Sequence, residues 1–560
     1  MHCHASSSTA ASGGIESDQS RLSLPAWMNS SMRTLPFAAI LLASLVAWAV
    51  LFSCWPINLE DFPLFDDWSF ARGASMFARG EGIHYGHWAA MPQLGQWVWA
   101  FPFIRTLGEA TPILRISTII LSWLGLAGFY DLLTYKNQCR PAVAAFATGV
   151  LAFNPLFFML SGTFMTDVPT LSFCLISLCF YQRAILEGTG GMWLAASLAA
   201  VAGVSTRQNA WAVPLTALIA IIVTPGVRNR PWAWVASLGP LAFGVATHVW
   251  FQGRSDVLHQ RLLVQASGIN FPEPHVVLIL PFLVAHLMGM TAWPLWALLP
   301  RIDWRRLLFW SVILLGCAGY WRHFGAMIPH GGWFPYWDGV FSPEGFMAEE
   351  LVPGTRPLLL NWPVRVVASV FGCLGGAALL VRATKRRSLA CSEHLLLVFT
   401  LLESGAALST PRLYDRYLLF LVPGFLALAA RMFNSERALW WTGIPALAVL
   451  AAVSTCMTHD LWAWNVARWK LGRSALEQGI EATDIEGGFE WNGYYGPLSG
   501  RTVRQGAPGT AQQTTVPSPS VRHYILSFSP LPGTITVTQQ TYLSWLPPGS
   551  HRFYLLKLKP

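Results

Sequence analysis

Apolar runs long enough to cross a bilayer recur along this chain, and they limit its fold more than any other feature. A spanning helix needs about 20 mostly apolar residues, because lipid offers no hydrogen-bond partner to a bare peptide group. Such runs lie at roughly 37–55, 112–133, 141–161, 166–184, 190–206, 210–225, 232–251, 276–298, 307–322, 363–381, 393–410, 416–431 and 438–457. They predict an all-α polytopic membrane protein with about 13 transmembrane helices. Composition agrees, since only 12% of the residues are charged, where a soluble domain carries about 25%.

The loops between these runs alternate in charge. Short basic loops carry Lys136 and Arg140, Arg183, Arg228 and Arg230, Arg301 to Arg306, Arg382 to Arg387, and Arg431 with Arg437. The positive-inside rule makes these cytoplasmic and accounts for the net charge of +9 without a nucleic-acid partner. The N-terminus then lies inside and the C-terminus outside. Residues 1–35 are polar and Ser-rich and read as a disordered cytoplasmic tail; 36–458 form the membrane domain. Residues 459–560 turn soluble in composition, with an amphipathic helix expected at Leu461–Gln478 and strands at Tyr524–Ser529, Thr534–Leu543 and Phe553–Leu558. They predict a small α+β extracytoplasmic domain. The nine cysteines form no CxxC pair, so no disulfide framework or zinc site is indicated.

Charges left near a membrane are functional candidates by default, because burying them is costly. The first external loop, 56–111, is the richest in them. It carries Asp66 and Asp67 directly after the first span, then His84, His87 and Gln93. Two adjacent carboxylates repel, which raises one pKa and suits a general base; equally, they can cap the helix expected at Trp68–Ala78. A second external turn holds Thr166-Asp167-Val168-Pro169, where capping and a site role are again both open. Two further turns hold Arg207-Gln208-Asn209 and Arg412-Leu413-Tyr414-Asp415-Arg416-Tyr417. Arginine can snorkel to lipid headgroups, but its fork also matches phosphate oxygens. His84 and His87, with an Asp, are candidates for a divalent metal ion, although a third ligand is not identifiable.

Phe65-Asp66-Asp67-Trp68 after the first span, Asn154-Pro155-Leu156, Thr166-Asp167-Val168-Pro169 and Asp415-Arg416-Tyr417-Leu418 together resemble the GT-C superfamily of polytopic glycosyltransferases. The likeness is to bacterial enzymes of the protein mannosyltransferase and aminoarabinose transferase type, over roughly residues 37–430. Those enzymes often carry Asp-Glu where this chain has Asp-Asp. The resemblance implies a bacterial inner-membrane hexosyl- or pentosyl-transferase that inverts the anomeric carbon. It would take a sugar from a polyprenyl-phosphate donor and pass it to an extracytoplasmic acceptor: lipid, glycan or protein. It also implies catalytic roles for Asp66 or Asp67 and for Asp167. Arg207, Arg412 and Arg416 would hold the donor phosphate, while His84, His87, Gln93, Gln208 and Asp415 would line the site. The long loop 323–362 would cover the sugar, with Trp333 and Trp337 against its ring. A flippase or transporter of lipid-linked saccharide, or a polysaccharide polymerase or ligase, are the competing readings. A flippase predicts inverted repeats and midplane charges; the charges here sit at span ends.

Overall fold

The computed structural model describes residues 26–54, 61–257, 264–265, 268–269, 293–294, 304–324, 340–342, 344–346, 352–383, 390–408, 414–434, 440–496 and 522–559. Helical segments occupy every expected span except 276–298, nearly all of which lies outside the described residues, as do Trp333, Trp337, Arg412 and the tail before Ala26. Five of these helices are individually long and apolar enough to cross a membrane: Thr34–Cys54, Thr111–Asn137, Asp167–Glu187, Pro231–Gln252 and Trp440–Glu477. A sixth forms if the bent pair Pro141–Ala152 and Pro155–Ser161 is one span. That criterion applies to the described residues alone and leaves the expected count of about 13 open, other apolar runs among them forming shorter helices. Two such are Gly190–Thr206 and Gln208–Val223. The first helix starts at Ala26, ahead of the expected boundary at residue 36.

The break in the bent pair has a local cause. Pro155 has no N–H and its ring blocks continuation of the preceding helix. Asn154 starts a new one, its Oδ1 accepting from the N–H groups of Leu156 and Phe157 at 3.0 and 3.3 Å. The two axes meet at 66°. This bend delivers the turn Gly162–Thr166 to the buried first loop.

The helix Asp167–Glu187 packs between Thr111–Thr134 and Gly190–Thr206. Small residues permit the close approach: a Cβ on Gly125 would lie 2.6 Å from Ser172 Oγ. By contrast, Leu42, Leu45 and Val46 on the first helix are exposed, as lipid-facing side chains are.

The expected boundary at 458 falls inside one continuous helix, Trp440–Glu477. Its second half is not the amphipathic surface helix expected at Leu461–Gln478. Leu461, Trp462, Trp464, Arg468, Trp469 and Leu471 are all buried, because partners cover nearly every face. One partner is a four-stranded sheet in the order Ile485–Glu486, Tyr524–Ser527, Pro548–Leu558, Thr534–Trp545. The first pair is parallel and the rest antiparallel, with Leu526 opposite Leu555 and Thr541 opposite Arg552. Asp460 fastens the hairpin to the helix, its two carboxylate oxygens accepting from Trp545 N at 2.6 Å and Leu546 N at 2.8 Å. His459 stacks on Trp545 with ring centroids 3.6 Å apart.

Candidate functional site

Asp66 and Asp67 open the helix Asp67–Arg79, yet neither caps it. Asp66 stands at the N-cap position without a side-chain bond to the helix. Its Oδ1 instead accepts from the Trp88 indole N–H at 2.7 Å, and its Oδ2 lies 3.8 Å from Nη1 of Arg416. Asp67 turns the other way, its Oδ1 accepting from Phe164 N at 2.9 Å. The same Phe164 offers its carbonyl to Gln96 Nε2 at 2.9 Å. The first loop and the turn Gly162–Thr166 are thus stitched together on both sides of one residue.

The turn is held open for Asp167. Thr166 makes no side-chain cap, and the Asp167 Oδ1 pairs with Nη1 of Arg207 at 2.5 Å. The Arg207 guanidinium also reaches Thr166 Oγ1 at 3.3 Å and, through Nε, Asn209 Oδ1 at 3.2 Å. Asn209 passes the chain on to Glu403 Oε2 at 3.0 Å. Arg207 lies 4.9 Å over the Tyr417 ring, and Arg416 lies 5.8 Å from the same ring. Tyr417 therefore stands between the two cations.

Burial separates the two adjacent carboxylates. The Asp66 side chain keeps 17% of its surface exposed, whereas Asp67 keeps none. Only Asp66 is within reach of an incoming molecule. Burial pushes the Asp66 pKa above the ordinary carboxylate range, opposed by the Arg416 charge and the Trp88 hydrogen bond. The same cause pushes Asp67 up to about 7, with Arg115 opposing it. Arg115 is itself buried against Phe62 and Trp462, with its ring distances at 4.6 and 5.3 Å. Asp67 Oδ2, Asp167 Oδ2 and Gln93 Nε2 are buried without a hydrogen-bond partner. Such groups are costly to leave unpaired.

The remaining expected residues divide. Gln93 is buried in a left-handed conformation, φ 59°, and its N–H donates to Thr206 O at 3.0 Å beside Arg207. Gln208 donates to Ala90 O at 3.1 Å. Asp415 does not present its carboxylate to the cluster; it accepts from Val340 N, Phe341 N and Arg416 N, the last at 2.6 Å. It fixes the backbone from which Arg416 projects, and burial pushes its pKa up to about 6. His84 and His87 are exposed, and the His84 ring contacts Glu81 O at 2.9 Å. Among the described residues, no group of three or more His, Cys, Asp or Glu side chains is arranged to hold a metal ion.

Sequence reasoning missed Glu403, Trp88 and Gln96 as site residues. Glu403 carried a usable signal, since a carboxylate deep inside the apolar run 393–410, away from the Glu393 at its start, needs a partner. Trp88 and Gln96 carried none, because their partners lie 22 and 68 residues away.

Residues 91–250 match the family model for dolichyl-phosphate-mannose-protein mannosyltransferase, one of the GT-C glycosyltransferases, and the chain's resemblance to that superfamily stands on this segment. The segment holds Gln93, Asp167, Arg207 and Gln208 and leaves Asp66, Asp67 and Arg416 outside. Among solved structures, ArnT from Cupriavidus metallidurans in the apo state is 13% identical, with a TM-score of 0.40 over 94% of this chain and 98% of its own. The same protein bound to undecaprenyl phosphate is 14% identical, with a TM-score of 0.35 over 77% and 78%. The archaeal oligosaccharyltransferase AglB from Archaeoglobus fulgidus, in complex with an inhibitory peptide and a dolichol-phosphate, is 13% identical, with a TM-score of 0.42 over 78% of this chain and 56% of its own. At such scores these are likenesses only. No curated protein sequence matches the chain.

Proposed function

We propose that this chain is a membrane glycosyltransferase that moves one sugar from a polyprenyl-phosphate donor to an acceptor hydroxyl, with Asp66 as general base. One observation carries the reading: a partly open, buried-edge carboxylate held between an indole N–H and Arg416, facing an Asp167–Arg207 pair. In the proposed step the acceptor oxygen bonds to the anomeric carbon from the face opposite the phosphate. The bond from that carbon to phosphate oxygen breaks, its electron pair leaves with the polyprenyl phosphate, and the acceptor proton passes to Asp66. Inversion follows from this single displacement. General-base help of this kind contributes about 10²–10⁴ in rate. Arg416 and Arg207 offer charge to the leaving phosphate, where guanidinium forks suit its oxygens. Arg412 is proposed to join them. Asp167 holds Arg207 in place and through it is proposed to orient the donor. Asp67 ties the loop to the Gly162–Thr166 turn. Gln93, Gln208 and the exposed His84 and His87 are proposed to line the approach, with Asp415 setting the direction of Arg416.

The site is proposed to face the outside of a bacterial inner membrane, with the N-terminus cytoplasmic and the C-terminal segment beyond the membrane. A lipid-linked donor would then reach the carboxylate cluster from the bilayer. The acceptor, whether lipid, glycan or protein, would come from the aqueous side. The test uses the full chain in vesicles with a panel of radiolabelled undecaprenyl-phosphate mannose, glucose and galactose. Asp66→Asn should remain folded and inserted and lose at least about 100-fold in transfer. Transfer by Asp66→Asn at the wild-type rate would remove Asp66 from the role.

A further inference from the structure

We propose that the short helix Phe489–Tyr495 is a positioning element for Asp66, acting through Glu490 on the backbone and through Phe489 on Trp88. The inference rests on Asp66 being the general base. Glu490 is buried without exposed surface, yet it lies 425 residues from the loop it serves. Its Oε1 accepts from Phe65 N at 3.1 Å, and its Oε2 pairs with Nη1 of Arg468 at 2.9 Å. Phe65 is the residue before Asp66 and sits at φ 54°, a conformation that side chains other than glycine and asparagine avoid. Such a residue persists where its surroundings over-determine it, and Glu490 is the group that holds its N–H.

The second route runs through rings. Phe489 packs 5.2 Å from the Trp88 ring and 6.3 Å from that of Trp68. Trp88 is the indole that donates to Asp66. Gly493 lets the helix close on this cluster, since a Cβ there would lie 2.4 Å from Trp68 Cε2. The helix thus fixes both the main chain before Asp66 and the donor on its side chain.

The charged groups that face Asp66 are Arg416 from the segment Asp415–Leu421, Asp167 from its helix, Glu490, and the adjacent Asp67. Glu490 raises the Asp66 pKa by its charge, and the Trp88 bond lowers it. The two contacts therefore make opposite predictions. The measurement is pH-difference infrared spectroscopy of the full chain in phosphatidylethanolamine–phosphatidylglycerol vesicles. The Asp66 carboxyl band is assigned as the one missing from Asp66→Asn. Glu490→Gln should lower its titration midpoint and Phe489→Ala should raise it. An unchanged midpoint in the folded variants, with only thermal stability reduced, would overturn the proposal. If Glu490→Gln does not fold because Arg468 loses its partner, Phe489→Ala decides alone. The readout needs no transfer, so it is separable from the functional reading: an Asp66→Asn protein that still transfers sugar sinks the base assignment, whatever the infrared midpoints do.

Discussion

Asp66 and Asp67 are neighbours in sequence with opposite fates, and the difference is set by which partner each side chain reaches. Asp67 takes the Phe164 amide and is sealed; Asp66 takes Trp88 and Arg416 and stays open at one edge. Its raised pKa makes Asp67 a stability sensor. In the unfolded chain it titrates near the usual 3.8, and in the folded chain near 7. Between those values the folded state holds the extra proton, so this contribution to stability is complete below about 4 and is lost as pH rises to about 7. Asn at this position keeps the acceptor for Phe164 and cannot ionise. The expected outcome is that the thermal midpoint of wild type falls relative to Asp67→Asn across that window. Parallel curves would show that Asp67 is not buried as described. The sequence made this pair conspicuous, since it follows the first span directly. It could not tell base from cap, because both readings need the same residues at a helix start.

Elements were easier to read than their packing. The first-loop helix, expected at Trp68–Ala78, runs Asp67–Arg79, since apolar periodicity and the following glycine mark both ends. The second half of Trp440–Glu477 defeated the same logic. Trp462 and Trp469 share one arc of this helix, but Trp464 lies nearly opposite, beside Arg468, whose partner Glu490 makes that face interior too. No local pattern announces such a pairing. Helix contacts that hold the site are equally silent in sequence. Gly95, two residues after Gln93, is where the helix Leu94–Leu107 meets Gly190–Thr206; a Cβ there would lie 2.0 Å from Ala202 O and 2.5 Å from Thr206 Oγ1. Gly95→Ala must push the helices apart and should destabilise by about 1–3 kcal/mol. Gly191→Ala, on the same helix pair but facing open space, should leave the thermal midpoint unchanged or higher. Equal midpoints for the two variants would contradict the packing described.

At the scale of the molecule, part of a low-charge chain's interior polar set converges on one place. Asp66, Arg416, Asp167, Arg207, Asn209 and Glu403 come from five separate stretches of sequence and meet in one place. Hydropathy located the membrane part and the basic loops, because those depend on local composition. It gave no sign of the bend within the run 141–161, because a break such as Asn154-Pro155 is invisible to a run-length criterion. The central claim is that this charge set transfers a sugar from a lipid carrier. The most direct measurement is mass spectrometry of envelope glycans and glycolipids from a deletion strain of the native host, complemented with wild type or with Asp66→Asn. The account predicts the loss of a single sugar from one acceptor on deletion, restored by wild type and not by Asp66→Asn. Restoration by Asp66→Asn, or accumulation of an intact lipid-linked saccharide on the cytoplasmic face, would contradict it and point to transport instead.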